Sequence, residues 1–320
     1  MRNNSIDILK FICAVLVIFI HTPQPAYIEP YIDPIRRCAV PVFFIISGYL
    51  TYGKTDIDNI IRKRLKSIFR IFCWSLLLYF ILKVLHDGLH DVINILLHTF
   101  KSFICCNNII IAEPLWYIHA YLYVLAIIWV VNKYNLYRFL FFVTPILLVT
   151  GLCLGKYHEI IAENYIPIYY SRNFIFTGLP FFSIGLFIKK NEVFIQKNTN
   201  KCAVMLAFII FCIAGMLCNI SFGMHNKIGD IYITTIFASI SLFIFCIKLK
   251  AKENALSRIG RQDNLYIYIF HPFIGGEIQS MIQKVGLQPC YQYFSTAIVV
   301  ITTITFIRVL RRLRIIGNLI

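Results

Sequence analysis

The chain has 320 residues, of which 59% are hydrophobic and only 14% are charged, and its mean hydropathy is +0.73. Soluble domains carry about a quarter charged residues, so this composition excludes an ordinary soluble globule, a disordered chain and a disulfide-stapled secreted module. The formal net charge of +16 does not indicate a nucleic-acid partner, because the basic residues lie between apolar runs rather than in one patch. The remaining class is a polytopic helical membrane protein in contact with the lipid bilayer, since a membrane β-barrel has alternating segments of about ten residues.

Ten apolar stretches are candidates for transmembrane helices, which need about 20 residues to cross about 30 Å of hydrocarbon. In chain order the predicted spans are 6–22, 39–53, 68–86, 115–132, 137–154, 172–188, 202–218, 230–247, 265–283 and 293–310. The first span contains Asp7 and Lys10 and is followed by no small-x-small cleavage site, so we interpret it as a retained helix rather than a signal peptide. The sequence therefore predicts an all-α fold with about ten transmembrane helices in one bundle, forming a single membrane domain over residues 1–320.

The distribution of basic residues predicts the orientation of these spans. With the N-terminus in the cytoplasm, 23 of the 31 Lys and Arg residues fall on the cytoplasmic side. Both termini are therefore predicted to be cytoplasmic, and loops 22–38 and 87–114 to lie outside. Segment 57–68 is basic and amphipathic, so we expect it to lie along the cytoplasmic interface before the third span.

Ionisable residues inside membrane spans are costly and are candidates for functional sites. In the first span, Asp7 and Lys10 are three residues apart and can pair on one helix face. Lys10 and His21 are eleven residues apart, which places them on the same face with a rise of about 16 Å. The alternative is that Asp7 and Lys10 are interfacial anchors and that His21 is a hydrogen-bonded histidine at a helix end.

Further polar or helix-bending residues lie in other spans. His119 and His271 are each either functional or packed, hydrogen-bonded histidines. Ser47-Gly48 in the second span permits close helix approach, and the sixth span contains a Pro and two Gly that can kink a helix.

No cluster of His, Cys, Asp or Glu has metal-ligand spacing, so neither a metal nor a bound cofactor is predicted. Cys105 and Cys106 are interpreted as free thiols.

Six short motifs occur together in one order between residues 5 and 275. They are Lys10 followed by ten residues and His21, 41–49 (PVFFIISGY), 62–66 (RKRLK), 115–119 (LWYIH), 179–182 (LPFF) and 268–271 (YIFH). In this order they resemble the acyltransferase-3 family of integral membrane acyl-CoA-dependent O-acyltransferases. The chain is similar to the stand-alone type, without a fused extracytoplasmic domain. The basic motif departs from the family pattern, because no unambiguous Arg-x-x-Arg aligns.

The resemblance implies a multi-pass enzyme of the bacterial inner membrane that transfers acetyl from cytoplasmic acetyl-CoA to a hydroxyl of a cell-surface polysaccharide or its lipid-linked precursor, such as O-antigen, capsule or exopolysaccharide. His21 matches the essential histidine, and a neutral histidine is suited to take the proton of a sugar hydroxyl. Lys10, with Asp7, completes the implied catalytic set. The implied substrate or pocket residues are Ser47, Trp116, His119 and His271. The implied acyl-CoA-binding residues, which are basic on the side where CoA is found, are Lys63, Arg64, Lys66 and Arg70.

Two other classes stay open at this point. A secondary transporter also has kinked helices and buried charges, although no matching halves are visible in this sequence. A non-catalytic membrane module is the other possibility. The N-terminal pattern of Lys10 and His21 argues against the membrane-bound O-acyltransferase class.

Overall fold

The structure is a computed structural model that describes residues 3–53, 56–162, 165–314 and 316–317. It is helical, and the described residues contain no strand. Arg2 and Lys54, two of the basic residues assigned to the cytoplasm, lie outside the described residues. The α-helices, in chain order, are α1 (Asn4–His21), α2 (Glu29–Arg36), α3 (Ala39–Tyr49), α4 (Ile57–Asp87), α5 (Leu89–Cys106), α6 (Trp116–Lys133), α7 (Tyr137–Cys153), α8 (His158–Ile161), α9 (Leu179–Lys190), α10 (Glu192–Asn198), α11 (Lys201–Phe222), α12 (Ile233–Lys248), α13 (Ala255–Gln262), α14 (Asn264–Val285) and α15 (Gln288–Arg312).

Asparagine and aspartate side chains begin several of these helices. The Asn3 side chain accepts a hydrogen bond from the Ser5 amide at the start of α1, and Asn200 accepts one from the Cys202 amide at the start of α11. At α13, Asn254 and Ser257 form a reciprocal capping box. Such caps satisfy amide groups that have no partner inside the helix.

Each of the ten predicted spans overlaps one of these helices. Five helical segments of the described chain are long and apolar enough to cross a membrane. They are Asn4–His21, Ile57–Asp87, Leu89–Lys133, Lys201–Phe222 and Gln288–Arg312. Tyr137–Cys153 and Ile233–Lys248 are apolar but shorter. The all-helical class is therefore confirmed for the described residues, and five segments are able to cross a membrane. The count of ten crossings and the orientation of the termini stay predictions.

Two compact units make up the chain. The first contains the residues up to Phe43, Thr199–Asn226 and the chain from Ile233 onward, so it holds α1, α2 and α11 to α15. The second contains Phe44–Asn198 and Lys227–Tyr232, so it holds α4 to α10. Helix α3 contributes residues to both.

In the second unit, two glycines bring α3 and α9 into backbone contact. A Cβ atom at Gly48 would lie 2.0 Å from the Phe182 carbonyl oxygen, and one at Gly185 would lie 2.1 Å from the Ile45 carbonyl oxygen. The close approach predicted for Gly48 is thus confirmed. The expected irregularity of the sixth span is also present, as a π-helix over Phe174–Gly178 that precedes α9.

The three predicted non-spanning segments are helical over much of their length, and their positions relative to the membrane stay predictions. The segment 57–68 does not form a separate interfacial element, because α4 runs without a break from Ile57 to Asp87. The predicted outer loops 22–38 and 87–114 contain α2 and α5. Amphipathic sequence alone does not distinguish an in-plane helix from the polar first turns of a longer one.

Candidate functional site

The first turns of α1 are anchored to the segment that follows α12. The Ser5 hydroxyl donates to the Leu249 carbonyl at 2.7 Å and accepts from the Ala251 amide at 3.1 Å. Gly260 of α13 packs so closely on α1 that a Cβ atom there would lie 1.9 Å from the Asp7 carbonyl oxygen. Only glycine leaves room for this approach of two helix backbones.

Asp7 and Lys10 form the ion pair that their spacing allows. Lys10 Nζ lies 3.0 Å from Asp7 Oδ1, and the side chain of Asp7 is 4% exposed against 18% for that of Lys10. A buried carboxylate is stabilised by such a partner. The charge of Lys10 is therefore largely balanced within its own helix, which limits its use as an isolated cation for a donor substrate.

At the opposite end of α1, His21 lies beside His271 of α14. Their ring centroids are 5.4 Å apart, with 45° between the ring planes. His21 is exposed, whereas His271 is buried. The structure thus brings together two histidines that the sequence singled out separately.

The hydrogen bonding of His271 determines its tautomer. Its Nδ1 lies 3.0 Å from the Ile267 carbonyl oxygen, and because a carbonyl only accepts, Nδ1 carries the proton. In the neutral ring Nε2 is then an acceptor. This Nε2 is buried and has no hydrogen-bond partner among the described residues, so it is available to a proton donor near His21.

The chain immediately after His21 is held by α15. The Gln24 side-chain amide donates to Ser295 Oγ at 3.2 Å and to Thr296 Oγ1 at 3.0 Å. The Thr22 and Thr296 hydroxyls are 2.7 Å apart, and the Ser295 hydroxyl donates to the Pro23 carbonyl at 2.8 Å. We call these residues the polar strap. It fixes the backbone exit from α1 and, with it, the position of His21.

His119 and Trp116 lie in the second unit, at the start of α6. His119 is buried among aromatic rings, with centroid distances of 4.9 Å to Phe72, 4.5 Å to Phe103 and 4.9 Å to Tyr123. Its Nδ1 has no hydrogen-bond partner within the described residues. This packing agrees with a histidine that is enclosed in the protein rather than open to a large substrate.

The Trp116 ring is covered by a cation. The Arg172 guanidinium carbon lies 5.6 Å from the ring centroid. Arg172 also pairs with Glu113 and lies 3.8 Å from Asp230 Oδ2. A cleft beside Arg172 and Asp230 has room for about one water molecule, so this cluster mainly joins loops of the second unit.

The four residues of α4 that the family resemblance implies for acyl-CoA binding do not share one environment. The Arg64 guanidinium donates to Thr51 Oγ1 at 2.6 Å and to the Leu50 carbonyl at 3.4 Å. It therefore caps the C-terminal end of α3, a few residues after Ser47. Lys63, Lys66 and Arg70 are exposed. Lys66 and Arg70 follow Lys63 by three and seven residues, which places all three on one helix face. We call these three residues the basic stripe.

Sequence reasoning missed the polar strap and the Arg172 cluster. Gln24 lies between two prolines, and its partners in α15 are about 270 residues away, so no local pattern points to their contact. Arg172 appeared only as one of the basic residues assigned to the outside. No group of three or more His, Cys, Asp or Glu in the described part of the chain has metal-binding geometry.

Comparison with known proteins identifies the family. The Acyltransferase domain of the acyltransferase-3 family matches residues 3–309. The chain belongs to this family. The match covers both compact units, so α1 with His21 and α14 with His271 are parts of the family domain. No solved structure matches the chain.

Among curated proteins, the chain is similar to two from Enterococcus faecalis that are named "Amino-acid racemase". One is 27% identical over 304 residues, which are 85% of this chain and 41% of that protein. The other is 24% identical over 280 residues, 82% of this chain and 38% of that protein. A "Serine/alanine racemase" from Enterococcus gallinarum is 22% identical over 331 residues, 96% of this chain and 46% of that protein. The chain thus spans less than half the length of these relatives.

Proposed function

We propose that this chain is a membrane O-acyltransferase that moves an acyl group, acetyl in the first instance, from acyl-CoA to a hydroxyl of a cell-surface carbohydrate or its lipid-linked precursor. The observation that carries the proposal is the pair of histidines in a member of the acyltransferase-3 family. His21 is exposed to a substrate, and the buried His271 beside it presents an acceptor nitrogen. An inner membrane location in bacteria belongs to the same proposal.

In the proposed reaction His21 acts as general base. It takes the proton of the acceptor hydroxyl as the oxygen attacks the thioester carbonyl carbon. The new carbon–oxygen ester bond forms, the carbon–sulfur bond breaks, and the leaving thiolate takes a proton from the His21 imidazolium. The His271 Nε2 lone pair is placed to accept a hydrogen bond from the His21 ring or from the acceptor hydroxyl, which orients the proton transfer.

The basic stripe is the proposed contact for the CoA phosphates. Its three side chains are exposed and basic, and CoA is anionic. The structure does not support the same role for Arg64, whose guanidinium is engaged by α3. The Asp7–Lys10 pair is proposed to stabilise α1 rather than to bind CoA, because the charge of Lys10 is balanced.

The experiment is a comparison of surface glycan from cells that lack the protein, express it, or express His21→Ala. We expect acetyl esters, seen by mass spectrometry as added acetyl mass that mild base removes, only with the unaltered protein. A labelled acetyl group on acetyl-CoA, supplied to membranes with the cytoplasmic face outward, tests the donor. Equal acetylation in all three strains contradicts the proposal.

A second candidate rests on the names of the relatives. Proteins named for racemisation of amino acids, serine and alanine among them, contain a region similar to this chain together with more than half of their length outside it. In this alternative the membrane domain binds or moves a small amino acid. Uptake of labelled serine or alanine that persists in His21→Ala, with no acyl transfer in any strain, favours this alternative over acyl transfer.

A further inference from the structure

Helix α5 presents three chemically different faces. The first is buried or half-buried against the rest of the second unit, where Val92 is fully buried and the Phe103 ring packs against the His119 ring. The second is apolar and exposed, with fractional exposures of 44% to 71%. Its members are Leu89, Ile93, Leu97, Phe100 and Ile104. The third is polar and exposed. Its members are His90, Asp91, Asn94, His98, Lys101 and Cys105.

At about 100° per residue the three sets point in different directions. Each exposed set runs along the helix from its first turn to its last. The helix therefore needs protein on one face, an apolar medium on the second and a polar medium on the third, along its whole length.

Length alone would allow α5 to cross a membrane. It has 18 residues, or about 27 Å at 1.5 Å per residue, close to the thickness of the hydrocarbon. A crossing orientation would place the exposed Asn94 and His98, which lie near the middle of the helix, at the centre of the hydrocarbon, where polar groups are strongly disfavoured. An aqueous location would instead leave the apolar face in water.

We propose that α5 lies in the plane of the membrane interface, with its apolar face in the acyl chains and its polar face among the lipid headgroups. A helix with one apolar and one polar face has this orientation at a lipid surface. Helix α5 then adds no crossing, so the chain leaves α4 and enters α6 on the same side of the membrane. The proposal is independent of the reaction that the protein catalyses.

The test uses spin labels on the full chain in vesicles of phosphatidylcholine and phosphatidylglycerol. Single cysteines are placed at Asn94 and Lys101 on the polar face and at Leu97 and Phe100 on the apolar face, after serine replaces the non-buried native cysteines. Accessibility to oxygen, which concentrates in lipid, and to a water-soluble nickel chelate is then measured at each site. The matched control uses labels on α15, which is a candidate crossing helix. They are placed at the exposed residues Phe294, Ile301 and Val309.

For α5 we expect the chelate to reach both polar-face labels equally and oxygen to reach both apolar-face labels at one shallow depth. For α15 we expect a gradient with its greatest depth at residue 301. A similar gradient along α5 would overturn the proposal in favour of a crossing helix. Chelate access to both faces would overturn it in favour of a helix in water. Melting temperatures in detergent equal to that of the unlabelled protein show that the labelled variants are folded.

Discussion

Gly260 and Asp7 are in backbone contact, because a Cβ atom at Gly260 would lie 1.9 Å from the Asp7 carbonyl oxygen. The contact joins α13 to the turn of α1 that carries the Asp7–Lys10 ion pair. The end of α1 opposite His21 is therefore held by Gly260 of α13, which has no side chain to separate the two backbones. Helix α1 has little freedom to move along its axis while this contact is intact.

Replacing Gly260 with alanine should displace α13 from α1. We expect a loss of about 1–3 kcal/mol in the free energy of unfolding, the usual cost of an overpacked core, and reduced acyl transfer. Thermal unfolding in detergent measures the stability change. Gly276→Ala is the control, since a Cβ atom at Gly276 meets nothing within 4 Å. Equal melting temperatures for the two variants would contradict the contact.

Replacing His271 with phenylalanine removes the Nε2 acceptor but keeps a flat ring. We expect kcat to fall by about 10²-fold, at the lower end of the range for loss of proton-transfer assistance, because His21 stays in place but loses its neighbour. His271→Gln, which keeps an acceptor atom, should recover part of the loss. A rate assay with saturating donor measures both variants, and wild-type rates in His271→Phe would refute a role for this histidine. The exposed His90, changed to Gln, is the control.

Replacing the basic stripe should weaken binding of the donor. In Lys63→Gln/Lys66→Gln/Arg70→Gln we expect the KM for acetyl-CoA to rise about tenfold. Each exposed ion contact contributes about 0.5 kcal/mol, and 1.4 kcal/mol corresponds to a factor of ten.

Arg64→Gln is the matched control for that experiment. Its hydrogen bonds to Thr51 and Leu50 predict a lower melting temperature with little change in KM. The reverse pattern, in which Arg64→Gln alone raises KM, would move the proposed CoA contact to Arg64.

The orientation of the chain can be tested with a reporter that fluoresces only in the cytoplasm. We expect fluorescence from fusions at either terminus, because the excess of Lys and Arg then lies inside. A fusion after Cys153, at the end of α7, should be dark. Fluorescence from that truncated fusion would require a different number of crossings before α8.

Glu192 should make stability depend on pH. Its partial burial raises its pKa, but hydrogen bonds from Lys189 and Tyr49, at 2.6 and 2.5 Å, outweigh that effect and hold the pKa below its usual value. A carboxyl group whose pKa is lower in the folded state than in the unfolded state stabilises the protein at pH values above the unfolded-state pKa. This contribution is lost as the pH falls through the folded-state pKa.

Glu192→Gln should therefore lower the melting temperature at pH 7. The difference from wild type should shrink as the pH falls below about 4, where the carboxyl is increasingly protonated in both states. Melting curves in detergent across this range provide the measurement. A difference that does not change with pH would mean that the carboxylate charge is not responsible.

Local sequence patterns predicted the helical segments and the pairs close in the chain. Hydropathy located the segments that became α1, α4, α6 and α11, because a long apolar run has few alternatives to a helix. Spacing of three residues predicted the Asp7–Lys10 pair. The Ser-Gly pattern at 47–48 predicted close approach, although not that α9 would be the partner.

Contacts between distant segments lay beyond this reasoning. Nothing local connects His21 with His271 or Gln24 with Thr296, because such pairs depend on how helices far apart in sequence pack. Helix α5 was missed for another reason. Its three-sided pattern mixes apolar and polar residues so evenly that it resembled a loop between two spans.

The polar strap has a consequence for the order in which the site matures. During synthesis His21 leaves the ribosome early, whereas Ser295 and Thr296, which hold the adjoining Gln24, emerge only when α15 is made. The proposed base His21 is therefore made long before its surroundings exist. A nascent chain carries the proposed base but not the support that positions it, so the site is completed only when α15 joins the first unit.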